Sequence, residues 1–410
     1  MRPISLLSIK GARSRILLYN TAIALRDQST INRFQREVTM MEKDVYKLLA
    51  EQLDALPNGF PATKDGAELR LLAKIFSPEE AELTAQLHLT LETPEKIATR
   101  IGLEPEMLRQ QLKTMARRGL ITTARLDDGL GYGLMPFVVG IYEMQVASMD
   151  TELAHLFEDY YQQAFGTVLK VKPQFHRVVP VGESIRNDME IHPFESAADL
   201  VKTAQSWGVL DCICRKQKAL LGDPCEHPVD VCMILSERPG AFKGSTTVQA
   251  IDLNGALTTL QRAAKAGLVH SVSNSQEGIS YICNCCTCSC GILRGMSELG
   301  IADVIAHSAF INTVDETSCN GCEICLDYCQ FDAISMDGVA RVNRTRCVGC
   351  GVCVLSCPNE AMVLIRRPVE EVLPIPETQM DWGRQRAVER RINPAAIEKS
   401  VDINDKHYQT

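Results

Sequence analysis

The chain has 410 residues, 45% of them hydrophobic and 23% charged, and a formal net charge of -8. That composition excludes wholesale disorder, suits roughly two to four domains with real cores, and argues against a generally basic nucleic-acid surface. All 17 cysteines lie between Cys212 and Cys357. Their odd number in a long chain excludes a small disulfide-stapled secreted scaffold and puts metal or redox chemistry first.

Residues 1–40 carry seven basic side chains and two acidic ones. Their apolar pieces are too short for a secretory signal. An organelle presequence or a membrane-surface amphipathic helix would share this composition; the plainer reading is an extension before a second start at Met40 and Met41. No stretch approaches the ~18 uncharged apolar residues of a membrane span.

A helix is expected over residues 42–56, closed by Pro57, Asn58 and Gly59, and a second over EAELTAQLHLTL. Thr93 is placed to cap a helix starting at Pro94 and ending at Gly102. Leu108, Leu112 and Met115 form one apolar stripe on a helix over 104–118. LITTAR and YGLMP flank an Asp-Asp-Gly turn. Helix, turn, helix and hairpin over about 60 residues resemble winged-helix domains. That resemblance would place Arg109, Lys113, Arg117 and Arg118 near phosphate. The ordinary alternative is a solvated helix face, with Glu104 and Glu106 at the end that should approach DNA.

The region 137–309 reads as mixed α/β. TELAHLFEDYYQQAF is an amphipathic helix, VLKV and RVVPV are short strands, and His155, His176 and His192 read as surface or hydrogen-bonded residues. Cys212, Cys214, Cys225 and Cys232 form one cysteine cluster; Cys283, Cys285, Cys286, Cys288 and Cys290 form another. Soft thiolates select iron–sulfur clusters, zinc or copper(I). Four ligands satisfy one [4Fe–4S] cluster or one zinc, and the remaining thiols would serve a second site or redox exchange. Arg215 would donate to cluster sulfur or pair with Asp211 or Glu226. His227 is a further candidate ligand.

Cys319, Cys322, Cys325 and Cys329 follow C-x2-C-x2-C-x3-C, and Cys347, Cys350, Cys353 and Cys357 repeat it after 28 residues. This is the bacterial run for two [4Fe–4S] clusters. Gly321 and Gly349 would let backbone approach closely. Residues 310–367 resemble the dicluster ferredoxin family. The resemblance implies one cluster on Cys319, Cys322, Cys325 and Cys357, a second on Cys347, Cys350, Cys353 and Cys329, and electron transfer as their use. Gln330 departs from the family's proline and should weaken one corner without removing a ligand. The whole chain is also similar to large cysteine-rich, ferredoxin-domain proteins of anaerobic bacteria and archaea, through Cys212, Cys214 and Arg215 and then Cys283 to Cys290. Ser289 stands where a further cysteine is common in them.

The expected fold is multidomain α+β: an extension (1–40), a helical, winged-helix-like domain (41–136), a mixed α/β cysteine-rich domain (137–309), a ferredoxin-like dicluster domain (310–367) and a flexible tail (368–410) with one short helix at GRQRAVERR. The expected function is a cytoplasmic iron–sulfur electron-transfer protein, a subunit or redox partner of an anaerobic oxidoreductase. A redox enzyme with an open-site metal cluster in 212–290, or a redox-sensing DNA-binding regulator, are the alternatives. No GxGxxG follows a strand, so no flavin or nicotinamide site is expected.

Overall fold

The computed structural model describes residues 45–181, 184–185 and 191–392. The extension 1–40, Met40, Met41 and the tail from residue 393, Pro394 included, lie outside the described residues. The architecture is a mixed α/β one with several helices and sheets. Among the described residues no helix is long and apolar enough to cross a membrane.

Helix α1 covers 45–54 and buries Tyr46, Leu49 and Leu53 at helical spacing. Helix α2 (Ala67–Ile75) was not evident from sequence. Helix α3 (Pro78–Thr84) starts at a Ser77–Glu80 capping box but stops sooner than expected. The cause is tertiary. The His88 carbonyl accepts from Leu134 N at 2.6 Å, and Glu92 bridges to Tyr132, so 88–92 run along a hairpin instead of extending the helix. Helices α4 (Pro94–Ile101) and α5 (Pro105–Arg117) follow, then the antiparallel pair β1 (Thr122–Leu126) and β2 (Gly129–Gly133). Leu108, Leu112 and Met115 are buried as the stripe requires. Thr93 stands at the α4 N-cap but its side chain makes no capping bond.

Helix α6 (Thr151–Tyr160) is capped by Asp150, whose carboxylate accepts from Leu153 N at 2.8 Å. The chain stays helical beyond it to Leu169. VLKV is therefore the end of a helix and not the expected strand: Val168 and Leu169 are buried in the core with Phe165.

The central sheet is antiparallel throughout. Its strands are β3 (His176–Val178), β4 (Ser206–Leu210), β5 (Cys232–Ser236), β6 (Gln249–Ile251), β7 (Val269–Ser273) and β8 (Tyr281–Cys285), in the order β3-β7-β8-β5-β4-β6. Helices α7 (Ala197–Thr203) and α9 (Leu253–Lys265) cover one face, with Leu200, Val201, Ala256 and Leu260 packed on Val209, Leu235 and Ile282. Helix α8 (Ile213–Leu220) leaves the end of β4.

The C-terminal part pairs β9 (Phe310–Val314) with β12 (Met362–Arg366). Between them lie α10 (Ile324–Tyr328), the hairpin β10 (Ile334–Asp337) and β11 (Val339–Val342), and α11 (Val352–Ser356). The tail's expected short helix is α12 (Gln379–Glu389), and it is anchored, not loose. Arg386 is fully buried and donates to the carbonyls of Pro57, Val168, Val171 and Pro173 at 2.7–3.0 Å. One apolar cluster runs from Tyr46 through Phe165, Ile213 and Val348 to Trp382, across the boundaries expected at 136 and 309.

Candidate metal centres

The sheet gathers the central cysteines. Cys232 opens β5 and pairs with Leu210, the last residue of β4; Cys212 follows as the N-cap of α8, and Cys214 lies in that helix's first turn. Cys283 and Cys285 sit two apart on β8, so the period of a strand puts them on one face. Cys290 comes back from the following loop. Its amide donates to the Cys286 carbonyl at 3.1 Å.

These six thiols lie close enough to shift one another's ionisation: Cys214 and Cys232 act on Cys212, Cys290 on Cys214, Cys285 on Cys290, and Cys283 on Cys285. All six line a chamber of about 300 Å³. Its other walls are largely apolar and include Val138, Phe157, Phe165 and Met233. Among its polar lining groups, Tyr142 is buried and its hydroxyl has no hydrogen-bond partner. Burial pushes the Glu143 carboxyl up to about 7, while Gly140 N donates to it at 2.6 Å. His176 also lines the chamber. It is buried, lies 3.0 Å from the Tyr281 hydroxyl and 3.2 Å from Ser271 Oγ, and its pKa is lowered to about 3 by burial.

The other three central cysteines stand apart. The Sγ atoms of Cys225, Cys286 and Cys288 lie within 4.8 Å of one another, a partial three-ligand metal site. Cys286 follows Cys285 directly, just past the end of β8. Its thiol is brought down to about 5, first by Cys288, then by the Arg215 charge that opposes the cost of burial.

Arg215 lies between the two groups. It lines the six-thiol chamber, and its Nη1 lies 3.6 Å from Cys286 Sγ. Both Nη atoms donate to the Asn284 carbonyl at 3.1 Å. Neither Asp211 nor Glu226 is its hydrogen-bond or ion-pair partner among the described contacts. Burial opposes its charge, but Cys212, Cys232 and Cys286 outweigh burial and keep it protonated. Its Nε has no partner. Asn284 fixes this arrangement: its Nδ2 donates to the Val231 carbonyl and its Oδ1 meets His270 Nδ1, each at 2.5 Å.

In the C-terminal segment, Cys319, Cys322, Cys325 and Cys357 line one small cavity of about 20 Å³. Burial raises Cys325, and Cys322, Cys357 and Cys319 raise it further. Cys350 is pushed up to about 12 by burial, then by Cys347 and Cys329. Donors already point at sulfur: Asn312 Nδ2 to Cys353 Sγ at 3.1 Å, Ala333 N to Cys329 Sγ at 3.3 Å, and Ala340 N to Cys319 Sγ at 3.4 Å. Asn312 Oδ1 is buried without a partner. Gly349 has φ 72°, and a Cβ there would meet the Phe310 carbonyl oxygen at 2.0 Å. Soft donors ringed by N–H groups fit an iron–sulfur group.

Residues 318–361 match the 4Fe-4S dicluster domain. That match covers the two cysteine runs and ends just before β12 begins. Compared with curated proteins, and with solved structures, the chain finds no match.

The dicluster segment and the three-cysteine group face one cleft of about 720 Å³, lined by Cys288 and Cys329 together with His227, Lys265 and Arg346. Gln330 joins the two walls. Its Oε1 accepts from Thr287 N at 2.7 Å, and its Nε2 donates to the Gly267 carbonyl. The residue that replaces the family's proline is thus a tether between the Cys286–Cys288 loop and the segment that follows Cys329. His227 lies on this cleft and its charge helps lower Cys286.

Proposed function

We propose that this chain is an iron–sulfur electron-transfer protein with two [4Fe–4S] clusters in its C-terminal segment. Cys319, Cys322, Cys325 and Cys357 would hold one, and Cys347, Cys350, Cys353 and Cys329 the other. The observation that carries this reading is the paired cysteine run within the dicluster match. The cavity lined by the first quartet supports the sorting, as does the mutual electrostatic influence of the second. Bound clusters supply one-electron exchange. The chain's part is to hold the thiolates and to aim N–H groups at their sulfurs, as Asn312, Ala333 and Ala340 do. These donors favour the reduced, more negative state.

The central cysteines would add further metal, iron–sulfur or zinc, and a cytoplasmic redox protein would be the partner. The domains would run as the sequence suggests, with 137–309 carrying the second set of thiols and 310–367 the first. The segment 94–133 reads as a winged-helix module. Arg109 of its second helix is paired with Glu95 and Glu106, and Arg118, just past that helix, with Glu80, which favours a structural or protein-contact use over DNA.

One observation favours a second reading, a redox enzyme: the largely apolar chamber of about 300 Å³ against six thiols is the size of a small-molecule site. The test is iron, acid-labile sulfide and zinc per chain on anaerobically purified protein, with EPR of the reduced sample. The reading requires at least eight irons and interacting [4Fe–4S] signals that vanish with Cys319→Ala or Cys347→Ala. Zinc in place of that iron would overturn it.

A further inference from the structure

We propose that the nine central cysteines hold two separate centres. The six-thiol one, on Cys212, Cys214, Cys232, Cys283, Cys285 and Cys290, is a polynuclear iron–sulfur centre with more than four irons. This rests on the reading that the chain carries iron–sulfur clusters, and it goes beyond that reading in count, position and kind.

The separation follows from the chamber and the strand. Cys283 and Cys285 share a face of β8, whereas Cys286, just past the strand's end, lies with Cys225 and Cys288. The chamber is lined by none of those three, and the three-thiol site includes none of the six. Arg215 lines the chamber and lies 3.6 Å from Cys286 Sγ.

The size follows from ligand arithmetic. A zinc ion takes four thiolates, and a [4Fe–4S] cube takes four cysteines. All six thiols line the one largely apolar chamber, so either group would leave two of them there without a metal. Their surroundings supply little positive charge: among the residues lining the chamber, Arg215 is the one arginine or lysine. Holding all six as thiolate ligands beside one guanidinium would therefore take more than one metal cation to balance their charge. The chamber also has unused donors for such a centre. Arg215 Nε and the Tyr142 hydroxyl are both buried and unpartnered, and both residues line it. An N–H or O–H donor facing cluster sulfide is a known lever on cluster potential.

The experiment uses the full-length chain, purified anaerobically, in three forms: wild type, Cys232→Ala and Cys225→Ala. Iron, sulfide and zinc are counted, and Mössbauer spectra are recorded on iron-57 protein. Cys232→Ala should lose more than four irons and one subspectrum while the dicluster EPR signals persist. Cys225→Ala should leave that subspectrum untouched. A loss of four irons or fewer, a loss of zinc instead, or the same loss from both variants would overturn the proposal. If Cys232→Ala does not fold, the wild-type spectrum decides: no centre larger than four irons means the inference is wrong. Loss of the dicluster signals in wild type would instead sink the function proposed above, so the two failures are distinguishable.

Discussion

The C-terminal segment and the central region both concentrate thiols, but they assemble them in opposite ways. In the first, eight cysteines come from two short runs, and each run supplies three neighbouring cysteines to one proposed cluster and its fourth to the other. In the second, six come from the N-terminus of α8, the start of β5, the end of β8 and the loop after it. A local turn can shape the first kind of site. The second exists only when β4, β5, β7 and β8 are paired, because it is the sheet that brings Cys232 beside Cys212 and Cys283 opposite Ser271. Metal loading in the centre should therefore follow tertiary structure, and loading at the C-terminus should follow local backbone geometry.

The sharpest way to break that contrast is a pair of glycine substitutions. Gly349→Ala forces a left-handed residue and a Cβ into the Phe310 carbonyl and Ser308, at a cost of about 3 kcal/mol or more. It should abolish the dicluster EPR signals and leave the central metal in place. Gly208→Val, in β4, drives a side chain into Val248, 2.2 Å from the new Cβ, and into the Phe242 ring. It should empty the central thiols and spare the dicluster signals. Metal analysis with EPR reads both, and a variant that unloads both regions equally would end the distinction.

A milder change probes the join. Gln330→Pro restores the residue usual in dicluster ferredoxins but removes the bonds to Thr287 N and Gly267 O. Each is worth about 1 kcal/mol. A chelator should strip the Cys225–Cys286–Cys288 group several-fold faster, followed by metal release, with dicluster iron unchanged.

The smallest expected effect is on acid stability. Burial, and then the charge of Arg367, lowers His307 to about 4. Its ring stays neutral in the folded chain to that pH, while the unfolded chain protonates it near the ordinary value of about 6.5. Its contribution is thus full above about 6.5 and is lost as pH falls toward 4. His307→Asn should flatten the drop in urea midpoint between pH 7 and pH 5.5, an effect on the order of 1 kcal/mol.

How legible each region was follows from the same contrast. The spacing of Cys319 to Cys357 carries its own meaning, because neighbouring residues do the work. The helices α4 and α5 and the hairpin after them were readable for a similar reason: glycine stops and apolar stripes are local signals. The six–three division was not read, because it depends on which strands pair, and two cysteine clusters in sequence become two differently composed groups in space. One clue was present in Cys283-Asn284-Cys285, whose alternation on a strand puts both cysteines on one face. VLKV misled because its apolar run belongs to a buried helix end, and short apolar runs suit either state. Gln330 was read as a loss of stiffness, since its partners Thr287 and Gly267 are distant in sequence.

The alternation along β8 also has a consequence for how this chain tolerates change. The residues from Cys283 to Cys285 behave like a reading frame. A conservative exchange within them alters one contact, whereas one residue inserted or deleted between Cys283 and Cys285 would set the two thiols on opposite faces of the strand. Loops elsewhere in the chain can grow or shrink; here length itself is the information.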